Sequence, residues 1–294
     1  MAILGAHKSI AGGHYRAVER AAQHGCDCVQ LFTANGNQWA AKDITVQQAR
    51  LFQAALAQFA ITHPIAHDSY LINLASPDRA LWIRSIEALA AELRRAETLG
   101  LESVVTHPGA YTTSNEQQGL RRIATALDEV HAQTRGLKVR CLLETTAGQG
   151  TCLGARFEHL VAILDAVRDP DRLGVCLDTC HAFAAGYPLR TKRQYEATMA
   201  QLERSVGLSR VSAIHLNDSR HELGSHRDRH EHIGRGKLGL AAFRHVVCDP
   251  RFAQTPMYLE TPKGEEDGVD LDMMNLATLR GLAGEGRLGR NDGS

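Results

Sequence analysis

No apolar run in this 294-residue sequence approaches the roughly 18 residues that a bilayer demands, and no charged-then-apolar leader opens it. A membrane span is therefore not expected, and the cytoplasm is the expected compartment. Cys-x-x-Cys pairs are missing as well. The seven cysteines, an odd number, lie mostly within or beside expected strands (Cys26, Cys28, Cys141, Cys176, Cys180) and read as reduced, buried small hydrophobes. Cys180, between Asp178 and His181, is the one placed to serve as an accessory ligand. Charge of either sign is not in excess, since 33 Lys and Arg balance 33 Asp and Glu. That balance argues against an anionic partner unless bound cations enter the count. No internal linker breaks the chain, and 44% hydrophobic residues suffice for one large core over residues 1–282. Only the Gly-rich, aperiodic stretch 283–294 reads as a disordered tail. A Gly-x-Ser-x-Gly elbow or other nucleophile signature is also absent, which leaves a metal-activated water as the expected attacking group.

What the chain has is a repeat of strand and helix signals. Short apolar runs predict strands at Ile3 to Ala6, Cys28 to Phe32, Ile65 to His67, Ser103 to Thr106, Val139 to Leu143, Leu173 to Leu177, Val211 to Leu216 and Met257 to Leu259. Helical periodicity fills the gaps at His14 to His24, Val46 to Ile61, Asp78 to Leu99, Glu116 to Thr134, Phe157 to Val167, Lys192 to Val206, Leu240 to Cys248 and Leu271 to Leu282. The third helix is clearest, with Asp78 as cap, apolar Leu81, Ile86, Leu89, Leu93 and Leu99, and Gly100 as stop. Eight such pairs predict a TIM-type (β/α)8 barrel with its active site at the C-terminal ends of the strands.

Six metal-ligand residues pace with that repeat. His67, His107, Glu144, Asp178, His215 and Glu260 each end an apolar run, at gaps of 40, 37, 34, 37 and 45 residues. Residues ending barrel strands converge on one pocket, so three carboxylates and three imidazoles would share a rim. Buried carboxylates cost several kcal/mol unless compensated, and imidazole among them selects Zn or Mn over Mg or Ca. His181, one turn beyond Asp178, and the Asp228/His230 pair in a long polar loop over residues 217–239 raise the candidates to nine, enough for three ions at about three protein ligands each. His7 also ends a strand and is expected beside the metals rather than on them. Gly148 and Gly150 look like backbone positions near the site. The run Gly234-Arg-Gly-Lys-Leu-Gly239 matches a dinucleotide fingerprint, but it follows a polar loop and reads as a turn.

Together, Gly5-Ala-His-Lys-Ser, His67-Asp-Ser-Tyr-Leu-Ile-Asn-Leu74, His107-Pro-Gly, Glu144-Thr-Thr-Ala-Gly-Gln-Gly, Asp178-Thr-Cys-His, His215-Leu-Asn-Asp, Asp228-Arg-His-Glu-His-Ile-Gly and Leu259-Glu-Thr-Pro262 cover nearly the whole chain. In these the sequence resembles the endonuclease IV family of zinc-dependent apurinic/apyrimidinic endonucleases. The resemblance implies a trinuclear zinc centre: His67 and His107 on a first ion, Glu144 bridging it to a second held by Asp178, His215 and Glu260, and His181, Asp228 and His230 on a third. Manganese is an alternative at one site. It further implies hydrolysis 5′ to abasic sites in duplex DNA, cleaning of blocked 3′ ends, Glu144 and Glu260 as catalytic carboxylates, Tyr70 at the DNA interface, a monomer, and residence at the nucleoid in a bacterium. Two positions depart from the family: Asn37 stands where relatives commonly carry an inserting arginine, and Arg235 where many carry glutamate. Both are expected to face DNA. The competing reading is a metal-dependent sugar isomerase of the xylose-isomerase-like barrel type, in which the Asp228/His230 pair has no task. A non-enzymatic metal-binding scaffold is a third, and it needs no open site at a barrel mouth.

Overall fold

Parallel strands buried on both faces need crossover helices, and the alternation of apolar runs with amphipathic segments supplies them. A computed structural model describes residues 2–39 and 42–288. Its strands are β1 (Ile3–His7), β2 (Cys28–Phe32), β3 (Thr62–His67), β4 (Ser103–Thr106), β5 (Arg140–Glu144), β6 (Leu173–Asp178), β7 (Val211–His215), β8 (Asp218–Ser219), β9 (His230–Glu231), β10 (Pro256–Leu259), β11 (Glu265–Glu266) and β12 (Val269–Asp270). Its helices are α1 (His14–Gln23), α2 (Val46–Phe59), α3 (Arg79–Leu99), α4 (Glu116–Gln133), α5 (Phe157–Ala166), α6 (Thr179–Ala185), α7 (Lys192–Ser205), α8 (Leu240–Val247) and α9 (Leu271–Leu288). Strands β1 to β7 and β10 close a parallel barrel in the order β1-β10-β7-β6-β5-β4-β3-β2. The expected (β/α)8 architecture is the one found.

Local chemistry sets the element ends. The Asp78 carboxylate accepts from the Ala80 and Leu81 N–H groups at the start of α3, and Gly100 ends it at φ 73°. Thr45 and Gln48 form a reciprocal capping box on α2. The close approach of β1 to β2 requires Gly5, because a Cβ there would lie 2.0 Å from the Cys28 carbonyl oxygen.

Three features differ from the sequence expectation. The loop after β7 contains a two-stranded antiparallel ribbon, β8 with β9. A short helix, α6, follows β6 directly. Helix α9 runs to Leu288, so residues 283–288 of the expected disordered tail are helical, and residues 289–294 lie outside the described residues. Among the described residues no helix is long and apolar enough to cross a membrane.

Two apolar layers fill the molecule. The larger lies between strands and helices, and the smaller plugs the barrel with Cys28, Ile65, Val105, Leu142, Cys176, Ala213 and Tyr258.

Candidate metal centre

Side chains along a strand alternate sides, so the residue two positions beyond each member of the plug faces inward again. Those residues are Gln30, His67, His107, Glu144, Asp178, His215 and Glu260, and on β1 the position two beyond Gly5 is His7. The barrel therefore carries a polar ring one step above an apolar floor. Six of its eight members are the ligands expected from sequence.

The ring resolves into overlapping clusters whose donor atoms lie within 4.8 Å of one another: His67, His107 and Glu144; Glu144, Asp178, His215 and Glu260; Asp178, His181 and His230. In the first, the Nε2 atoms of His67 and His107 each stand 3.2 Å from Glu144 Oε2. In the second, His215 Nδ1 lies 3.0 Å from Glu144 Oε1 and 3.2 Å from Glu260 Oε2. Beside the third, Asp228 Oδ1 approaches the Nε2 atoms of His181 and His230 at 3.1 and 3.4 Å. All nine candidates are thus brought together, and Glu144 and Asp178 are each shared between two clusters.

The donor set fits divalent cations. Glu144 and Asp178 are fully buried, and among the described residues no Lys or Arg pairs with either. The outward nitrogen of four imidazoles meets a carbonyl oxygen: His67 Nδ1 with Asp68 O at 3.0 Å, His181 Nδ1 with Thr145 O at 2.9 Å, His230 Nδ1 with Glu260 O at 3.2 Å, and His215 Nε2 with Gln30 Oε1 at 2.8 Å. Each carbonyl can accept the N–H of a neutral ring, which would leave the inward nitrogen the lone pair that a metal ligand needs. The Nε2 atoms of His181 and His230 face each other at 3.4 Å, an arrangement a shared cation suits. Proton affinities tell the same story. Burial opposes it, but hydrogen bonding to and the charge of Glu144 push His67 up to about 9, and against its own burial Glu260 is held at about 2, chiefly by His215. The charges of the ring thus favour a cation among them.

Several site residues escaped the sequence reading. Gln30, fully buried, donates from Nε2 to Glu260 Oε1 at 2.6 Å while accepting from His215. Asn217 donates to Asp178 Oδ2 at 2.6 Å and accepts from the Glu260 N–H at 2.9 Å. Asp218 receives the backbone N–H groups of Gly234, Gly236 and Leu238 at 2.9 to 3.0 Å, closing the loop that presents Asp228 and His230. Lys263, Arg220 and Arg229 line the cavity of about 580 Å³ above the ring. An amide or lysine in a loop carries no ligand signal, although strict alternation from Cys28 marks Gln30.

The remaining expectations are placed as follows. His7 lines the same cavity without joining a cluster, and burial pushes it down to about 3. Tyr70 is 64% exposed at the rim, its ring 5.5 Å from Phe32 and 5.8 Å from His67. Asn37 is exposed on the loop after β2. Arg235 is occupied by Glu266, at 2.5 and 3.0 Å. Cys180 Sγ points to the Arg229 carbonyl, and burial pushes the thiol up to about 12.

A family model described as the xylose isomerase-like TIM barrel matches residues 18–279. Over 282 residues the chain is 46% identical to a protein of Geobacter sp. (strain M21) described as "Probable endonuclease 4", covering 96% of this chain and 99% of that one. A protein of the same description from Chloroflexus aggregans is 51% identical over 279 residues, 95% of this chain and 97% of its own length. The crystal structure of endonuclease IV from Thermus thermophilus superposes with a TM-score of 0.85 at 35% identity, over 96% of this chain and 99% of that one.

Proposed function

Because the chain belongs to the endonuclease IV family of xylose isomerase-like TIM barrels, we propose that it is a DNA repair endonuclease. It hydrolyses the phosphodiester 5′ to abasic sites in duplex DNA and cleans blocked 3′ ends, and it acts as a monomer. The observation that supports this most is the trio of overlapping clusters at the barrel mouth, with Glu144 and Asp178 shared and imidazole nitrogens turned inward among the carboxylates. His67, His107 and Glu144 would hold one ion, Glu144, Asp178, His215 and Glu260 a second, and His181, Asp228 and His230 a third. Imidazole mixed with carboxylate suits zinc, with manganese tolerated at one position. When bound, such ions lower the pKa of water and neutralise charge on a phosphate.

The chain's own groups do the rest. Gln30 fixes the Glu260 carboxylate and the Asn217 amide oxygen holds the Glu260 backbone N–H, so the carboxylate, which lines the cavity, can orient the attacking water. Lys263, Arg220 and Arg229 face the same cavity and meet phosphate oxygens. Tyr70 stands at the rim, able to fill a gap where no base stacks. A sugar isomerase would leave the Asp228/His230 pair without a substrate to serve.

The test is a nicking assay on abasic duplex, with and without chelator, and metal content measured on the same sample. Nicking that chelator abolishes is expected, with Glu260→Gln inactive but folded. An undamaged thermal transition together with wild-type nicking by Glu260→Gln would remove that carboxylate from the chemistry. A metal-loaded protein that cannot cut abasic DNA would end the reading.

A further inference from the structure

Outside the metal centre, a cleft of about 550 Å³ lies between the N-terminal halves of α3 and α4. Arg79, Arg121 and Arg122 line it over the Trp82 ring, and no Asp or Glu does. None of these three guanidiniums has an ion-pair partner among the described residues, whereas neighbouring Arg156 and Arg168 are paired with Glu116 and Asp128. Arg122 is also set in place: its Nη1 donates to Ser114 Oγ at 2.9 Å and its carbonyl receives the Trp82 indole N–H at 3.3 Å. In a chain of zero formal net charge, three uncompensated cations around one cleft are a local positive field.

Its position ties it to the active face. Both helices follow strands whose ends carry ligands, β3 with His67 and β4 with His107, so their N-termini rise on the same side as the metal centre. A second cavity, of about 250 Å³, shares His67, Tyr70, His107 and Asp228 with the main one and extends outward to Asn73 and Ala110. There the Asn73 side chain clamps the two loops, donating to the Ala110 carbonyl at 3.0 Å and accepting from the Ala110 N–H at 2.9 Å. Ser76, immediately beyond this clamp and bonded through its N–H to the Asn73 carbonyl, is already part of the cleft wall. The wall of the arginine cleft thus begins at Ser76, a short step along the chain from Asn73 in the wall of the second cavity.

We propose that this cleft is an outlying phosphate site, taking the sugar-phosphate backbone of the duplex flanking the lesion. The inference rests on the DNA reading above. Duplex DNA carries one negative charge per ~1.7 Å of axis, so a duplex centred on the ring presents phosphates well beyond it. Guanidiniums bind phosphate oxygens through paired N–H groups, and the Trp82 face gives the sugar an apolar floor. This contact positions the duplex and reads no sequence.

Arg79→Gln, Arg121→Gln and Arg122→Gln, singly and combined, test it by equilibrium binding of the metal-loaded protein, using abasic duplexes with a non-hydrolysable linkage 5′ to the lesion, of increasing flank length, at several salt concentrations. The expected result for the combined variant is a loss of affinity of tenfold or more that grows with flank length. The slope of log affinity against log salt should fall by about 2 to 3, near 0.9 for each phosphate left without its arginine. Arginine-to-lysine replacements at the same positions should restore most of the slope. Metal content and thermal midpoint of the combined variant serve as the folding control, with Arg121→Gln alone, at an exposed position, as the variant least able to perturb the fold. Identical affinity and salt slope on the longest duplex would overturn the proposal. Wild-type protein that binds long duplexes through these arginines but never nicks the same duplexes with an ordinary phosphodiester would instead overturn the endonuclease reading and leave the cleft intact.

Discussion

Gln30 shows how much a single uncharged side chain can govern. Its amide oxygen accepts from His215 Nε2 and its amide nitrogen donates to Glu260, so one residue sets a ring orientation and a carboxylate orientation together. Replacing it by leucine leaves a buried imidazole N–H without an acceptor and frees the Glu260 oxygen. Outer partners of metal ligands typically contribute about 10–100-fold in affinity, and Gln30→Leu should weaken metal retention by that order, measured as the chelator concentration that strips the ions. Chelator curves superimposable on wild type would show that His215 needs no such partner. Tyr70 is the opposite case, a large exposed ring with no structural duty beyond its edge contacts. Tyr70→Ala should lower affinity for abasic duplex about tenfold, the order of one stacked base, with metal content unchanged. Unaltered binding would take Tyr70 off the DNA surface.

At the scale of elements, the long connection from β7 to α8 must hold two candidate ligands, Asp228 and His230, in place. The Asp218 carboxylate does this by collecting three N–H groups from the far side of the loop, and the β8–β9 ribbon pairs Asp218 with Glu231 and Ser219 with His230. Asp218→Ala strands those donors in a buried place, at a cost on the order of 3 kcal/mol. The expected phenotype is a lower unfolding midpoint and loss of the metal held by His181, Asp228 and His230, with the ions on the other two clusters retained. Full metal content in that variant would mean that the ribbon alone suffices. The sequence announced this loop only as long, polar and rich in histidine, because ribbons of two residues per strand leave no periodicity to read. Barrel strands were legible because both their faces are apolar up to the final inward residue, where a lone His, Asp or Glu interrupts the run. Gln30 interrupts β2 in the same way, yet glutamine is not a ligand type and passes as an ordinary polar residue. The two ends of α9 differ for a similar reason: Asp270 and Asp272 mark its start, whereas Ala283-Gly-Glu-Gly lacks the apolar spacing that would extend it, and continuity of the backbone carries the helix to Leu288.

For the molecule as a whole, the balance of 33 basic and 33 acidic residues makes charge a property of the loaded state. Three divalent ions would add six positive charges, all at the barrel mouth, to a body that otherwise has no net attraction for DNA. Metal removal should therefore do two things at once. Purified protein is expected to hold close to three zinc ions per chain, and their removal should abolish nicking and also weaken abasic-duplex binding, most strongly at low salt, where unscreened charge acts furthest. The metal-free chain should unfold earlier as well, since Glu144 and Asp178 remain fully buried with only imidazolium to offset them, and ligands that bind the folded state alone stabilise it in proportion to their occupancy. Because the His67 imidazolium can substitute for a cation only below its folded-state pKa, about 9, its share of that compensation is fully present below the ordinary histidine pKa and is lost as the pH rises through about 9, so the gap in midpoint between loaded and stripped protein should widen toward alkaline pH. Midpoints of the two forms measured across that range decide it: a constant gap would show that the buried carboxylates find their counter-charge elsewhere in the fold.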